Sequence, residues 1–183
     1  ARIPEGVCAA NDIIKLYDID VIFLAVPTKF INKTLDSINF SFENKYLING
    51  AKGIESDSLK RISQLAFEKL KLKEENYAVI TGPSHAEEVV KRMPTTVVTA
   101  SINEKTAQMV QDLLNNDVFR VYTSKDVTGC ELGGALKNII AIAAGIIDGL
   151  EMGDNTKAAL ITRGLAEMTR LGSALGAKPL TFS

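Results

Sequence analysis

Asp20-Val21-Ile22-Phe23-Leu24-Ala25-Val26-Pro27 is a short, almost unbroken apolar run that stops at a proline. With no polar residue alternating through it, the run reads as a strand buried on both faces, the kind a parallel sheet uses. Working outward, Phe30 to Ile38 has helical spacing, with Phe30, Ile31, Leu35 and Ile38 available to one face. Tyr46 to Gly50 is a second short strand, closed by Gly50 and Gly53. Ser56 or Ser58 is placed to cap a helix that carries Leu59, Ile62, Leu65 and Leu70 inward. Tyr77 to Ile80 is a third strand, running into Thr81-Gly82-Pro83-Ser84. A short helix is expected over Ser84 to Arg92, a strand over Thr95 to Thr99, a helix over Glu104 to Leu114 and a strand over Phe119 to Tyr122. Strand and helix alternating at this spacing argue an open α/β sheet with crossover helices.

From about Asp126 the character changes. Two long helical patterns follow, Val127 to about Leu150 and Asp154 to about Leu175, with no strand between them. A boundary near Ser124 therefore divides the chain into residues 1–124 and 125–183. Asp154 is a candidate cap for the second of these helices, and the Lys69 to Glu75 charge run reads as a solvated helix end.

Composition narrows the chemistry. The chain has 183 residues, 46% of them hydrophobic, enough for a real core. With 21 basic against 22 acidic residues, it has no charge bias toward nucleic acid or a membrane surface. Cys8 and Cys130 lie far apart and outside any paired-cysteine pattern, so neither a disulfide framework nor a zinc site is expected, and a reducing cytoplasm fits. His85 is the only histidine, which argues against a histidine-rich metal centre. The longest apolar stretch, Ile139 to Ile147, is too short on its own to span a bilayer.

In open α/β sheets, ligands bind beyond the carboxyl ends of the strands. Three segments fall there: Val26 to Phe30, Asn49 to Glu55, and Gly82 to Ala86. A fourth stretch, Glu131-Leu132-Gly133-Gly134-Ala135-Leu136-Lys137-Asn138, sets a lysine among small and aliphatic residues on a long helix. Burial there disfavours the ammonium, so the pKa of Lys137 should fall toward the range of a proton-passing group. The alternative is a lysine that snorkels from a packed helix to water. The small residues around it suit close approach of another backbone or of a ligand, or simply tight helix packing.

Gly133-Gly134-Ala135-Leu136-Lys137-Asn138 and Gly153-Asp154-Asn155-Thr156-Lys157-Ala158-Ala159-Leu160-Ile161-Thr162-Arg163-Gly164-Leu165 closely resemble the NAD(P)-dependent glycerol-3-phosphate dehydrogenases, the bacterial type in particular. The resemblance spans essentially the whole chain. It implies the later part of a Rossmann-like, doubly wound sheet followed by the start of an all-helical domain. It implies hydride transfer between NAD or NADP and the pair dihydroxyacetone phosphate and sn-glycerol 3-phosphate, in the cytoplasm, as precursor synthesis for glycerophospholipids, with a homodimer as the family-level expectation.

Carried over residue by residue, the resemblance makes Lys137 the catalytic lysine. It makes Lys52, in Ala-Lys-Gly-Ile-Glu, a contact to both cofactor and substrate, and Gly82, Ser84 and Asn138 substrate contacts. Phe30 and Ala86 match positions lining the dinucleotide, and no metal is implied. No GxGxxG fingerprint occurs in the chain; in this family it would lie before Ala1. The aspartate and the Arg-Asn pair that follow in the family would lie beyond Ser183, so these 183 residues alone are expected to turn over little substrate and to leave apolar helix surface uncovered. The rival readings are a related lysine-dependent dehydrogenase of a 3-hydroxy acid or sugar acid, and a non-catalytic binding or dimerisation module. A substrate panel and NADH titration separate them.

Overall fold

The structure, a computed structural model, describes residues 4–182. Five strands form one sheet in sequential order: β1 (Val21–Leu24), β2 (Tyr46–Asn49), β3 (Tyr77–Thr81), β4 (Thr95–Ala100) and β5 (Phe119–Ser124). Helices α1 (Thr28–Asp36) and α2 (Ile62–Leu70) make the crossovers that keep β1, β2 and β3 parallel. The next connection breaks the pattern. Only the five-residue α3 (Ala86–Val90) stands between β3 and β4, and Arg92, at φ 59°, turns the chain back just beyond it. β4 then runs antiparallel to β3. Helix α4 (Glu104–Leu114) restores a crossover, and β5 pairs parallel to β4.

Two apolar layers sandwich the sheet. Ile22, Leu24, Leu47, Tyr77 and Val79 pack against Ile31 and Leu35 of α1 and Leu65 and Ala66 of α2. On the other face, Ile48 and Ala78 meet Val110 of α4. Because α4 covers β3 to β5, it does not reach β1, where Phe23 is 46% exposed. The expectation that β1 is buried on both faces is thus corrected: its Ile22/Leu24 face is buried, while on the other face Val21 is only partly buried and Phe23 is exposed.

Local details differ in the same way. Helix α2 begins at Ile62, with the Arg61 backbone N–H held by the Gln64 side chain. Ser58 does not cap it, because its backbone N–H and hydroxyl both donate to the Glu55 carboxylate, and Leu59 lies outside the helix at 76% exposure. Bonding to three donors of this turn holds the Glu55 carboxyl below its ordinary range.

After β5, α5 (Val127–Gly149) and α6 (Asp154–Ala174) form a helical hairpin. Asp126 caps α5 by accepting from Gly129 N–H at 2.9 Å. Its other oxygen accepts from the Lys178 backbone and the Thr181 hydroxyl, tying the end of the described chain back to the start of α5. Leu132, Met168, Ala177 and Phe182 fill the space between. Asp154 is the first residue of α6 and not its cap; Gly153, at φ 81°, occupies the cap position. By length and composition α5 is long and apolar enough to cross a membrane, which the unbroken run Ile139 to Ile147 understates.

Candidate functional site

The carboxyl ends of β2 and β3 and the middle of α5 converge on one backbone carbonyl. Gly82 follows β3 at φ 151°. A Cβ there would lie 2.8 Å from Val97 Cα and 2.9 Å from the Thr96 carbonyl, so the position accepts no side chain while β4 stays where it is. The Gly82 carbonyl is shared by two lysines. Lys52 Nζ donates to it at 3.1 Å and Lys137 Nζ at 3.3 Å. The loop carrying Lys52 is itself held by the Thr28 hydroxyl, which donates to the Lys52 carbonyl at 2.6 Å.

Helix α5 reaches this point because Gly134 has no side chain. A Cβ on Gly134 would lie 2.7 Å from Thr81 Oγ1, the last residue of β3, and 3.8 Å from the Lys52 stem. The helix therefore lies directly on the end of the strand, and Lys137, one turn on, projects past it. Lys137 is half-buried, and its pKa is lowered, first by that burial and second by the charge of Lys52. Neither lysine forms an ion pair among the described residues. Two ammonium groups on one carbonyl oxygen, neither of them held in an ion pair, favour a small anion.

A cleft of about 450 Å³ opens beside them, lined by Lys52, Ser84, His85, Ala86, Glu88 and Lys137. On its other side Lys137 also borders a larger cleft of about 660 Å³ between β3, the start of α5 and the segment Lys178 to Phe182. Ser84 does not cap α3; its hydroxyl donates to the Gly82 carbonyl at 3.4 Å, and His85 holds the cap position without a side-chain bond. The His85 ring pairs instead with Glu87, both well exposed. Lys52, Gly82, Ser84, Ala86 and Lys137 thus come together. Asn138 is exposed on α5 and lines neither cleft, and Phe30, 49% exposed at the start of α1, sits under the Lys29 ammonium.

Sequence reasoning passed over Thr28 and Glu131. Thr28 carried a weak signal, a hydroxyl just after the strand-ending Pro27. Glu131 carried none beyond being an acid in an apolar helix, because its partners are distant in sequence. Among the described residues no cluster of three or more metal-ligating side chains occurs.

Comparison with known proteins gives this geometry its context. Residues 1–107 match the family model of the NAD-dependent glycerol-3-phosphate dehydrogenase N-terminus, and residues 126–183 that of the C-terminus. The chain belongs to the NAD-dependent glycerol-3-phosphate dehydrogenase family. It is 53% identical over 182 residues to the NAD(P)+ glycerol-3-phosphate dehydrogenase of Oceanobacillus iheyensis, an alignment covering 98% of this chain and 53% of that protein. It is 51% identical to the Geobacillus thermodenitrificans enzyme of the same name, covering 100% of this chain and 54% of that protein. Among solved structures, glycerol-3-phosphate dehydrogenase from Coxiella burnetii superposes with a TM-score of 0.88 at 37% identity, over 97% of this chain and 55% of that one. The chain spans about half the length of the curated relatives it matches.

Proposed function

We propose that the protein carrying this chain interconverts dihydroxyacetone phosphate and sn-glycerol 3-phosphate with NAD or NADP, and that Lys137 is its proton-transfer residue. The observation that carries this reading is the meeting of Lys52 and Lys137 on the Gly82 carbonyl, open to a cleft. Reduction of a ketone places negative charge on the carbonyl oxygen. An ammonium at that oxygen stabilises the charge and delivers the proton, and in the reverse direction the neutral amine accepts it. Burial, and then the Lys52 charge, lower the Lys137 pKa, which eases release of its proton. Lys52, exposed at the cleft and anchored through Thr28, is suited to orienting the phosphate, with Ser84 as a neutral donor beside it.

When bound, NADH or NADPH would supply the hydride, and NAD or NADP would accept it in the reverse direction. Phe30 and Ala86, exposed beside the strand ends that carry Lys52, offer apolar surface next to a cation, which suits a nicotinamide and its pyrophosphate. Asn138 is the substrate contact with least support, since it lies outside both clefts. The same reading assigns residues 1–124 to a dinucleotide-binding unit and 125–183 to the opening of a helical substrate unit, because β5 ends at Ser124 and no described strand follows. It places the protein in the cytoplasm without stable membrane insertion, supported by the paired, buried Glu131 on α5, the one helix among the described residues that is long and apolar enough to span a bilayer.

The test is reduction of dihydroxyacetone phosphate by the purified protein with NADH and with NADPH. Turnover with either cofactor supports the assignment. Its absence, together with activity on a 3-hydroxy acid or sugar acid, overturns it.

A further inference from the structure

Glu131 precedes Lys137 on α5 and is buried at 6% exposure. A carboxylate taken out of water costs several kcal/mol unless its lone pairs are met. Here they are. Oε1 accepts from the Ser63 backbone N–H at 2.8 Å and the Tyr77 hydroxyl at 2.7 Å. Oε2 accepts from the Ser63 hydroxyl at 2.6 Å and Arg61 Nη1 at 2.7 Å. The donors come from the start of α2 and the start of β3, so one side chain joins three elements. Burial and the adjacent Glu131 charge push the Tyr77 hydroxyl well above its ordinary range, which keeps it a donor.

Along β3, α5 makes contact at three points in order: Glu131 with Tyr77 at the start of the strand, Gly134 on Thr81 at its end, and Lys137 with Gly82 just beyond. The middle contact is smooth, because a glycine laid on a strand resists approach but not sliding. Directional bonds resist sliding. We propose that Glu131 is a positioning residue for Lys137, fixing the height of α5 along β3 and thereby seating the lysine amine at the Gly82 carbonyl beside Lys52. Its kinetic readout rests on the function proposed above; its geometric readout does not. The charged and titratable groups around Lys137 are Lys52 from the loop after β2, His85, Glu87 and Glu88 at α3, and Asp126, Cys130 and Lys178 along the larger cleft. A shift of α5 changes the distance of Lys137 from all of them.

The experiment measures, on the whole protein, the rate at which an amine reagent such as trinitrobenzenesulfonate modifies Lys137 as a function of pH, read by mass spectrometry. Wild type, Glu131→Gln and Tyr77→Phe are compared, together with kcat and KM for dihydroxyacetone phosphate and NADH. The labelling midpoint of Lys137 is expected below the ordinary lysine value in wild type and closer to it in Glu131→Gln, as the amine leaves its half-buried seat beside Lys52. The value of kcat is expected to fall roughly ten- to a hundredfold while KM for NADH holds. A lower melting temperature with unchanged midpoint and unchanged kcat would make Glu131 a structural brace only, and overturns the proposal. A wild type with no turnover sinks the proposed reaction, yet the labelling midpoints still decide the positioning. Should Glu131→Gln fail to fold, Tyr77→Phe removes one donor and keeps the ring packed on Phe67 at 5.4 Å. A midpoint that stays put in that variant overturns the proposal equally.

Discussion

The two halves of α5 have opposite fates, and the more apolar half is the less covered. In the first, Gly129, Cys130, Glu131, Leu132 and Gly134 are buried against the sheet, and each acid that enters is fully bonded. In the second, Ile139, Ile142 and Ile146 are 66%, 66% and 57% exposed, although nothing in their sequence is more polar. Lys137 marks the junction. An apolar sequence declares what could be buried; contact with another element determines what is, and the half-buried junction is where a lysine keeps both a lowered pKa and access to a cleft.

The largest effect expected across this divide is at the junction itself. Lys137→Ala should lower turnover of dihydroxyacetone phosphate by roughly 10²- to 10⁴-fold, the range for losing a proton-transfer group. Circular dichroism should show the fold intact, since the side chain closes no core. Activity that survives would make Lys137 a packing residue of the first half.

Next in size is the contrast in burial. Leu132→Ala, at 1% exposure, should cost about 2–5 kcal/mol in denaturant unfolding. Ile142→Ala, at 66% exposure, should change stability by less than about 0.5 kcal/mol. If the two cost the same, the second half is covered in solution, by further chain or by a second copy, and the contrast fails.

Glycines sharpen the comparison at lower amplitude. Gly134→Ala places a methyl 2.7 Å from Thr81 Oγ1 and should destabilise by about 1–3 kcal/mol, with Lys137 displaced. Gly145→Ala meets nothing within 4 Å and should stabilise by up to about 1 kcal/mol through helix propensity alone.

The smallest effect is electrostatic. Burial and then Lys52 lower the Lys137 pKa, so oxidation of glycerol 3-phosphate, which needs the neutral amine, should reach half its maximal rate below the ordinary lysine range. Lys52→Gln removes the second cause only. The midpoint should move up toward the ordinary value, without reaching it, in a pH profile of kcat. A midpoint that does not move would place the two lysines apart in solution.

The strands and helices were legible because their signals are local. The apolar runs, the punctuating glycines and the period of α4 all lie within a dozen residues, and α4 runs over Glu104–Leu114 as its spacing suggests. The reversal between β3 and β4 was not legible. Local signals leave the direction of β4 open, and the Ser84 to Arg92 pattern overstated a helix that ends at Val90. Caps were also misread, because a serine that could hold a helix end was already engaged by Glu55, and that competition is settled in three dimensions.

Of the candidate site, the lysines were readable as residue types set in unusual company. That they share one carbonyl was not, since Lys52, Gly82 and Lys137 come from three separate elements. By itself the sequence determined the order of elements and the words around Lys137 that carry the family resemblance, because periodicity and motif are properties of neighbours along the chain. Tertiary structure alone decided which half of α5 is covered, which acid is paired and which oxygen the two ammonium groups face, because burial and electrostatics are set by neighbours in space.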